Sequence, residues 1–123
     1  MNQYISFDGD KVGAKLELLI TLEDIEKMAT FSKAISKATK NLEDILLTNG
    51  YKVIFSGGDN ILCFGKNDLD FFRELQKFFY DATLITASIG IGSSVRKSFL
   101  ALKYAKASGG AKIIEFSKEC NHE

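Results

Sequence analysis

The chain contains no proline, so every sharp break in its secondary structure has to be made by glycine or by a short polar turn. Its ten glycines stand at 9 and 13, at 50, at 57 and 58, at 65, at 90 and 92, and at 109 and 110. They divide the chain into alternating strand-like and helix-like runs. Tyr4-Ile5-Ser6-Phe7 is short and rich in β-branched and aromatic residues, and it stops at Asp8-Gly9-Asp10, which predicts a buried strand. Residues 12–20 are expected to form a short helix. Thr21 with Asp24 three residues on predicts a capping box. Behind it Ile25, Met28, Ile35, Ala38, Leu42 and Leu46 recur at helical spacing as far as Asn49-Gly50. Lys52-Val53-Ile54-Phe55 and Ile61-Leu62-Cys63-Phe64 flank Ser56-Gly57-Gly58-Asp59-Asn60 and read as a β-hairpin. A helix from Asp68 to Tyr80 follows, capped by Asp68, and then a strand in which Ile85, Ala87, Ile89 and Ile91 alternate with other residues. Ser94 opens a further helix that ends at Gly109-Gly110, and residues 112–116 form a last strand.

This order predicts an α+β fold: a ferredoxin-like βαββαβ core with an added C-terminal helix and strand, its sheet antiparallel and its helices on one face. At 123 residues the chain is one domain, expected over 1–117, with a frayed tail at 118–123. Lys+Arg and Asp+Glu both number 16, which argues against a nucleic-acid polymer as partner, since such a surface needs a basic excess. No apolar run reaches the roughly 20 residues of a membrane span, and the first residues lack a signal peptide's pattern. Two cysteines make no disulfide framework, so a cytoplasmic setting is expected.

Two acidic points carry the chemistry. In a ferredoxin-like sheet the first strand lies beside the second strand of the hairpin, so Asp8 at the end of one and Asp59 in the turn before the other meet at one sheet edge. Carboxylates brought together repel unless a cation lies between them, and hard oxygen donors suit Mg²⁺ or Mn²⁺. Gly9 and Gly13 are expected to leave room for phosphate, with the amides of Asp10, Lys11 and Val12 pointing at it. Each motif alone is an ordinary turn; their convergence is the informative feature. Lys103 and Lys106 share a helix face, Lys103 reading as solvated, and Arg96 and Lys97 read as surface. The one histidine, His122, lies near Cys120 at the end of the chain, so a hydrolase triad has no base in the core. Cys63 alternates with apolar residues and belongs to the core.

Asp8-Gly9-Asp10-Lys11-Val12-Gly13, Gly57-Gly58-Asp59-Asn60, Ala87-Ser88-Ile89-Gly90-Ile91-Gly92, and Ala105-Lys106 before Gly109-Gly110 occur in an order that resembles the palm domain of nucleotide cyclases. That group includes GGDEF-type diguanylate cyclases and the signalling polymerase of type III CRISPR systems, and the chain looks most like the stand-alone minimal CRISPR polymerases. The resemblance implies a metal-dependent nucleotidyltransferase that makes a cyclic oligonucleotide, with pyrophosphate leaving. It implies Asp8 and Asp59 as catalytic metal ligands, joined by the Gly9 carbonyl and by Asn60. It also implies Lys106 as the triphosphate lysine, and a nucleotide held by Gly9, Asp10, Lys11, Val12, Gly13, Ser56, Gly57 and Gly58. The same resemblance implies that ATP is favoured over GTP, that the product is a cyclic dinucleotide, and that the setting is antiphage defence signalling.

Asn60 departs from the pattern, because the related cyclases usually carry a second acid there. Asp10 is a candidate to compensate. Asparagine at this position also occurs in the archaeal GTP cyclohydrolase III family, so a ring-opening hydrolase remains an alternative, as does a catalytically inactive palm that senses a nucleotide. A palm this small holds one nucleotide, so joining two requires a homodimer or higher assembly that sets two sites face to face.

Overall fold

Ile5 and Phe7 alternate with Ser6 and Asp8 along the first strand, and that period of two sorts the protein into layers on either side of one sheet. The computed structural model describes residues 1–116; the tail expected at 118–123, with Cys120 and His122, lies outside the described residues. In chain order the elements are β1 (Asn2–Gly9), α1 (Val12–Thr21), α2 (Ile25–Thr48), β2 (Lys52–Gly57), β3 (Asn60–Lys66), α3 (Leu69–Thr83), β4 (Ala87–Gly92), α4 (Val95–Ala107) and β5 (Ile113–Phe116). The sheet order is β2-β3-β1-β4-β5, so β1 is central, between β3 and β4 as a ferredoxin-like core requires.

Ile5, Phe7, Ile61, Cys63, Ile89 and Ile91 face one side and are buried against Ile35, Ala38 and Leu42 of α2 and Phe72, Leu75 and Phe79 of α3. Fully burying one of these large side chains stabilises the fold by about 1.5–3 kcal/mol, so this layer dominates the core. Burial also pushes the Cys63 thiol up to about 12, as suits a core residue. Asp68 caps α3 by accepting from the Phe71 amide, and Ser94 caps α4 by accepting from the Lys97 amide, as their positions in the sequence imply.

Three expectations are corrected. The sheet is antiparallel only through β2, β3, β1 and β4; β5 runs parallel to β4, because α4 forms a crossover between them. The helices do not share one face. α4 packs on β4, β1 and β5 from the side opposite α2 and α3, with the Ser6 hydroxyl hydrogen-bonded to that of Ser98 at 2.9 Å. Gly90 and Gly92 permit this: a Cβ on Gly90 would collide with the Ser98 carbonyl oxygen and the Leu102 amide, and one on Gly92 would lie 2.6 Å from the Ser98 amide nitrogen. Finally, the Thr21–Asp24 capping box does not form. Thr21 closes α1 by donating to the Leu18 carbonyl at 2.7 Å, whereas Asp24 itself caps α2, accepting from the Lys27 amide.

Candidate active site

β1 and β3 run antiparallel with Asp8 opposite Asn60, so these two side chains share a face at the end of the sheet. Asp59 occupies the tight turn just before Asn60, and its carbonyl accepts from the Gly9 amide at 3.1 Å, which ties the hairpin tip to the end of β1. This brings the Asp59 carboxylate near enough to that of Asp8 to act on its proton. Asp8 is consequently pushed up from 3.8 to about 7, first by burial, then by the proximity and charge of Asp59; the Lys106 ammonium pulls it back only in part.

Lys106, in the last turn of α4, reaches this point from the layer that covers the same face of the sheet. Its ammonium donates to the Gly9 carbonyl at 2.8 Å and lies 3.4 Å from Asp8 Oδ2 and 3.3 Å from Asp10 Oδ1. A cation thus already rests on the Gly9 carbonyl and the Asp8 carboxylate. Among the described residues no three His, Cys, Asp or Glu side chains converge, so a full protein cage for a metal is absent from them. Two carboxylates, a backbone carbonyl and the Asn60 side chain at one edge nevertheless form a donor set of the kind Mg²⁺ uses when substrate phosphates and water complete its shell. The mutual repulsion of Asp8 and Asp59 and the lysine drawn to the Asp8 carboxylate and the Gly9 carbonyl both fit a divalent cation there.

Asp10 shares the Lys106 ammonium with Asp8, but its carboxylate is otherwise engaged. Its carboxylate accepts from Thr86 Oγ1 and Ser88 Oγ at 2.7 Å each, and from the Ala111 amide at 2.8 Å. It ties the end of β1 to β4 and to the turn after α4, and its oxygens are saturated, so it is not free to make up for Asn60. Burial alone raises the titration of Asp10, but the hydrogen bonds from Ser88, Thr86 and Ala111, with the charge of Lys106, outweigh it and hold the group below its ordinary value.

Two expected phosphate contacts are corrected. The Asp10 amide already donates to the Thr86 carbonyl at 2.8 Å, and the space over Gly9 is filled, since a Cβ there would lie 2.9 Å from Val12 Cγ2 and 3.2 Å from the Phe79 ring. Gly9 is required for packing, whereas Gly13 faces open space. Lys11, at φ 56°, precedes α1 with no side-chain cap on the helix, so the amides of its first turn point outward unpaired. Lys11 and Lys106 line a common cleft of about 80 Å³ with Asp10, Gly109 and Gly110. In the hairpin, Ser56 lies opposite Ile61, Gly57 opposite Asn60, and Gly58 has φ 59° with nothing crowding it. A second cleft of about 160 Å³ runs between Asp59 and Gly58 on one side and Val12, Leu16, Phe31 and Ser32 on the other.

A further concavity has no counterpart among the sequence expectations. It measures about 550 Å³, lies on the α4 side of the sheet, and has Asp8 and Asn60 at one end and Phe55, Phe99 and Arg96 in its walls. No sequence signal marks it, because it depends on a bulge: Val53 pairs with Cys63 but Phe55 pairs with Leu62, leaving Ile54 unpaired. That extra residue turns Phe55 from the core face to the α4 face. Lys103, by contrast, is exposed, its ammonium 5.4 Å from the Phe99 ring.

A mixed sheet with a carboxylate pair at the end of its central strand and a glycine-rich hairpin beside it is a palm-like α+β fold. The solved structures agree on the fold. The active GGEEF domain of a diguanylate cyclase from Vibrio cholerae matches with TM-score 0.57 at 15% identity, over 94% of this chain and 82% of that one. A diguanylate cyclase/phosphodiesterase from Caldicellulosiruptor saccharolyticus matches with TM-score 0.58 at 18% identity, over 95% and 76%. An EAL/GGDEF domain protein from M. capsulatus matches with TM-score 0.52 at 19% identity, over 94% and 84%. None of the curated proteins matches the sequence. The chain belongs to the minimal CRISPR polymerase domain family, which matches it over residues 4–116. Among the described residues no helix is long and apolar enough to cross a membrane.

Proposed function

We propose that this chain is a divalent-cation-dependent nucleotidyltransferase that joins nucleoside triphosphates, ATP before GTP, into a cyclic dinucleotide with release of pyrophosphate. The observation that carries this reading is the meeting of Asp8 and Asp59 beside the Gly9 carbonyl, with a lysine already resting on two of the three. Asp8, Asp59, the Gly9 carbonyl and Asn60 are the groups that would hold Mg²⁺ or Mn²⁺. Such an ion, when bound, lowers the pKa of an attacking hydroxyl and neutralises charge on the leaving phosphate. Lys106 and Lys11 hold the β- and γ-phosphates in their common cleft, and the unpaired amides at the start of α1 add donors from the same side. The ribose oxygen of one nucleotide bonds to the α-phosphorus of the next. The bond from that phosphorus to the bridging oxygen breaks, pyrophosphate leaves with the electron pair, and the hydroxyl proton passes to solvent. Performing this twice closes the ring.

Lys11 and Lys106 offer one phosphate-binding cleft per chain, so the second nucleotide is brought by another copy of the chain in a homodimer or higher assembly. Family membership supports a cytoplasmic role in antiphage defence signalling. The test is to incubate the purified protein with each nucleoside triphosphate and Mg²⁺ or Mn²⁺ and to identify the products by mass. A cyclic dinucleotide with stoichiometric pyrophosphate is expected from the wild type and none from Asp59→Ala, whose fold is retained because a repelling acid has been removed. Because Asn60 is shared with ring-opening GTP hydrolases, a formamidopyrimidine product would replace this reading with that one. Unchanged nucleotide would make the protein a sensing module.

A further inference from the structure

The three clefts around Asp8 differ in chemistry. The one lined by Lys11, Lys106 and Asp10 is small and charged, and the one beside Asp59 is narrow; neither shares a lining residue with the 550 Å³ cavity, which touches the site at Asp8 and Asn60. That cavity falls within the size range of small-molecule sites, and its lining is mostly apolar, with few polar groups at its edges. Leu62 and Leu102 form the floor, and the rings of Phe55 and Phe99 stand half-exposed over it. It exists because α4 covers β4, β1 and β5 but leaves β3 and β2 open, and because the bulge at Ile54 turns Phe55 onto this face.

We propose that this cavity seats the nucleoside of the acceptor nucleotide, the one whose ribose hydroxyl attacks. This rests on the nucleotidyltransferase reading and makes it more specific. Flat aromatic rings over an aliphatic floor suit a nucleobase, which stacks on aromatic side chains whatever its identity. The polar end suits a ribose: Asp8 and Asn60 accept and donate hydrogen bonds where the hydroxyl must lie, at the same carboxylate the cation uses. Arg96, which makes no ion pair among the described residues, stands at the rim as a donor to base or phosphate. A triphosphate inside would face apolar carbon, so the acceptor's own phosphates stay outside, where a second copy of the chain can hold them.

The probes are adenosine and then guanosine, added to the ¹⁵N-labelled full chain without divalent cation. Saturable shifts at the amides of Leu62, Phe99 and Leu102 are expected, with affinity at least tenfold weaker in Phe99→Ala. Phe99 is 50% exposed, so the fold is retained, and Phe55→Ala provides an independent second variant. With ATP and Mg²⁺ added, saturating adenosine should be joined through its ribose oxygen to the α-phosphorus of ATP, yielding linear diadenosine monophosphate and pyrophosphate. Phe99→Ala should raise the half-saturating adenosine concentration in that reaction at least tenfold. Pyrophosphate release from ATP alone, with nucleoside shifts confined to Val12, Leu16 and Phe31 or absent, would overturn the acceptor seat while leaving the transferase reading standing. Shifts that follow protein concentration rather than nucleoside would assign the face to a second copy and overturn it too. If the nucleoside binds in the cavity but no nucleotide is consumed, the transferase reading fails and the acceptor role fails with it.

Discussion

Replacing Asp8 by asparagine should stabilise the cation-free protein, and by more the higher the pH. Asp8 ordinarily titrates at 3.8 and in the fold at about 7. At about 1.4 kcal/mol per tenfold change in proton affinity, ionising it costs the folded state roughly 4 kcal/mol as an upper bound. The sign follows from the direction of the shift. Between these values the folded protein holds a proton that the unfolded chain has lost, so wild-type stability falls as pH rises from about 4 to about 7 and then levels. The Asp8→Asn variant keeps the shape without the charge; the pull of Lys106 is already contained in the folded value, and solvent screening of this partly exposed carboxylate lowers the expected gain at pH 8 to about 2–4 kcal/mol. For a domain of this size that is a rise in Tm on the order of 10 °C. Urea unfolding in chelator at pH 4 and pH 8 measures it: the two proteins should nearly coincide at pH 4 and separate at pH 8. Adding Mg²⁺ should then stabilise the wild type and narrow the gap. A gap that is absent, or that does not change with pH, would refute the claim that Asp8 and Asp59 strain against each other.

Other expectations follow from the same geometry. Gly90→Ala forces a Cβ into the backbone of α4 and should cost about 3 kcal/mol in urea unfolding, with α4 exchanging its amide protons faster. Asp10→Ala abandons the donors of Thr86, Ser88 and Ala111 and should cost about 3 kcal/mol near neutrality. Because Asp10 is held below its ordinary value, that stabilisation is present above pH 4 and is lost as pH falls through the folded value, so the deficit should shrink in acid denaturation series. Lys106→Met frees the Gly9 carbonyl and Asp8, so Mn²⁺ should bind several-fold more tightly, while pyrophosphate release falls by about 10² or more for want of the phosphate cation.

Much of this architecture was legible in the sequence because its signals are local. The apolar alternation of Ile85, Ala87, Ile89 and Ile91, the caps at Asp68 and Ser94 and the glycine turns each act within a few residues, and together they imply β1 beside β3. The convergence of Asp8 with Asp59 follows from that topology. What the sequence did not reveal depends on contacts across the sheet. Gly90 and Gly92 read as strand glycines, yet their function is to admit α4 on the far face. Asp10 reads as one more acid in a turn, yet partners 76, 78 and 101 residues away determine that it is structural. The bulge at Ile54 has no signature in a run of apolar residues, so the facing of Phe55, and with it the cavity wall, was invisible before the register was known. Lys106 could be matched only by resemblance; that it reaches the Gly9 carbonyl is a fact of α4's placement.

The central claim is that one divalent cation is shared by two carboxylates that lie 51 positions apart in the chain, Asp8 and Asp59. Mn²⁺ titrations followed by electron paramagnetic resonance, with a nonhydrolysable ATP analogue present, test it most directly. The account predicts saturable binding to the wild type and at least a tenfold loss in both Asp8→Asn and Asp59→Asn. Undiminished Mn²⁺ affinity in either variant would contradict it.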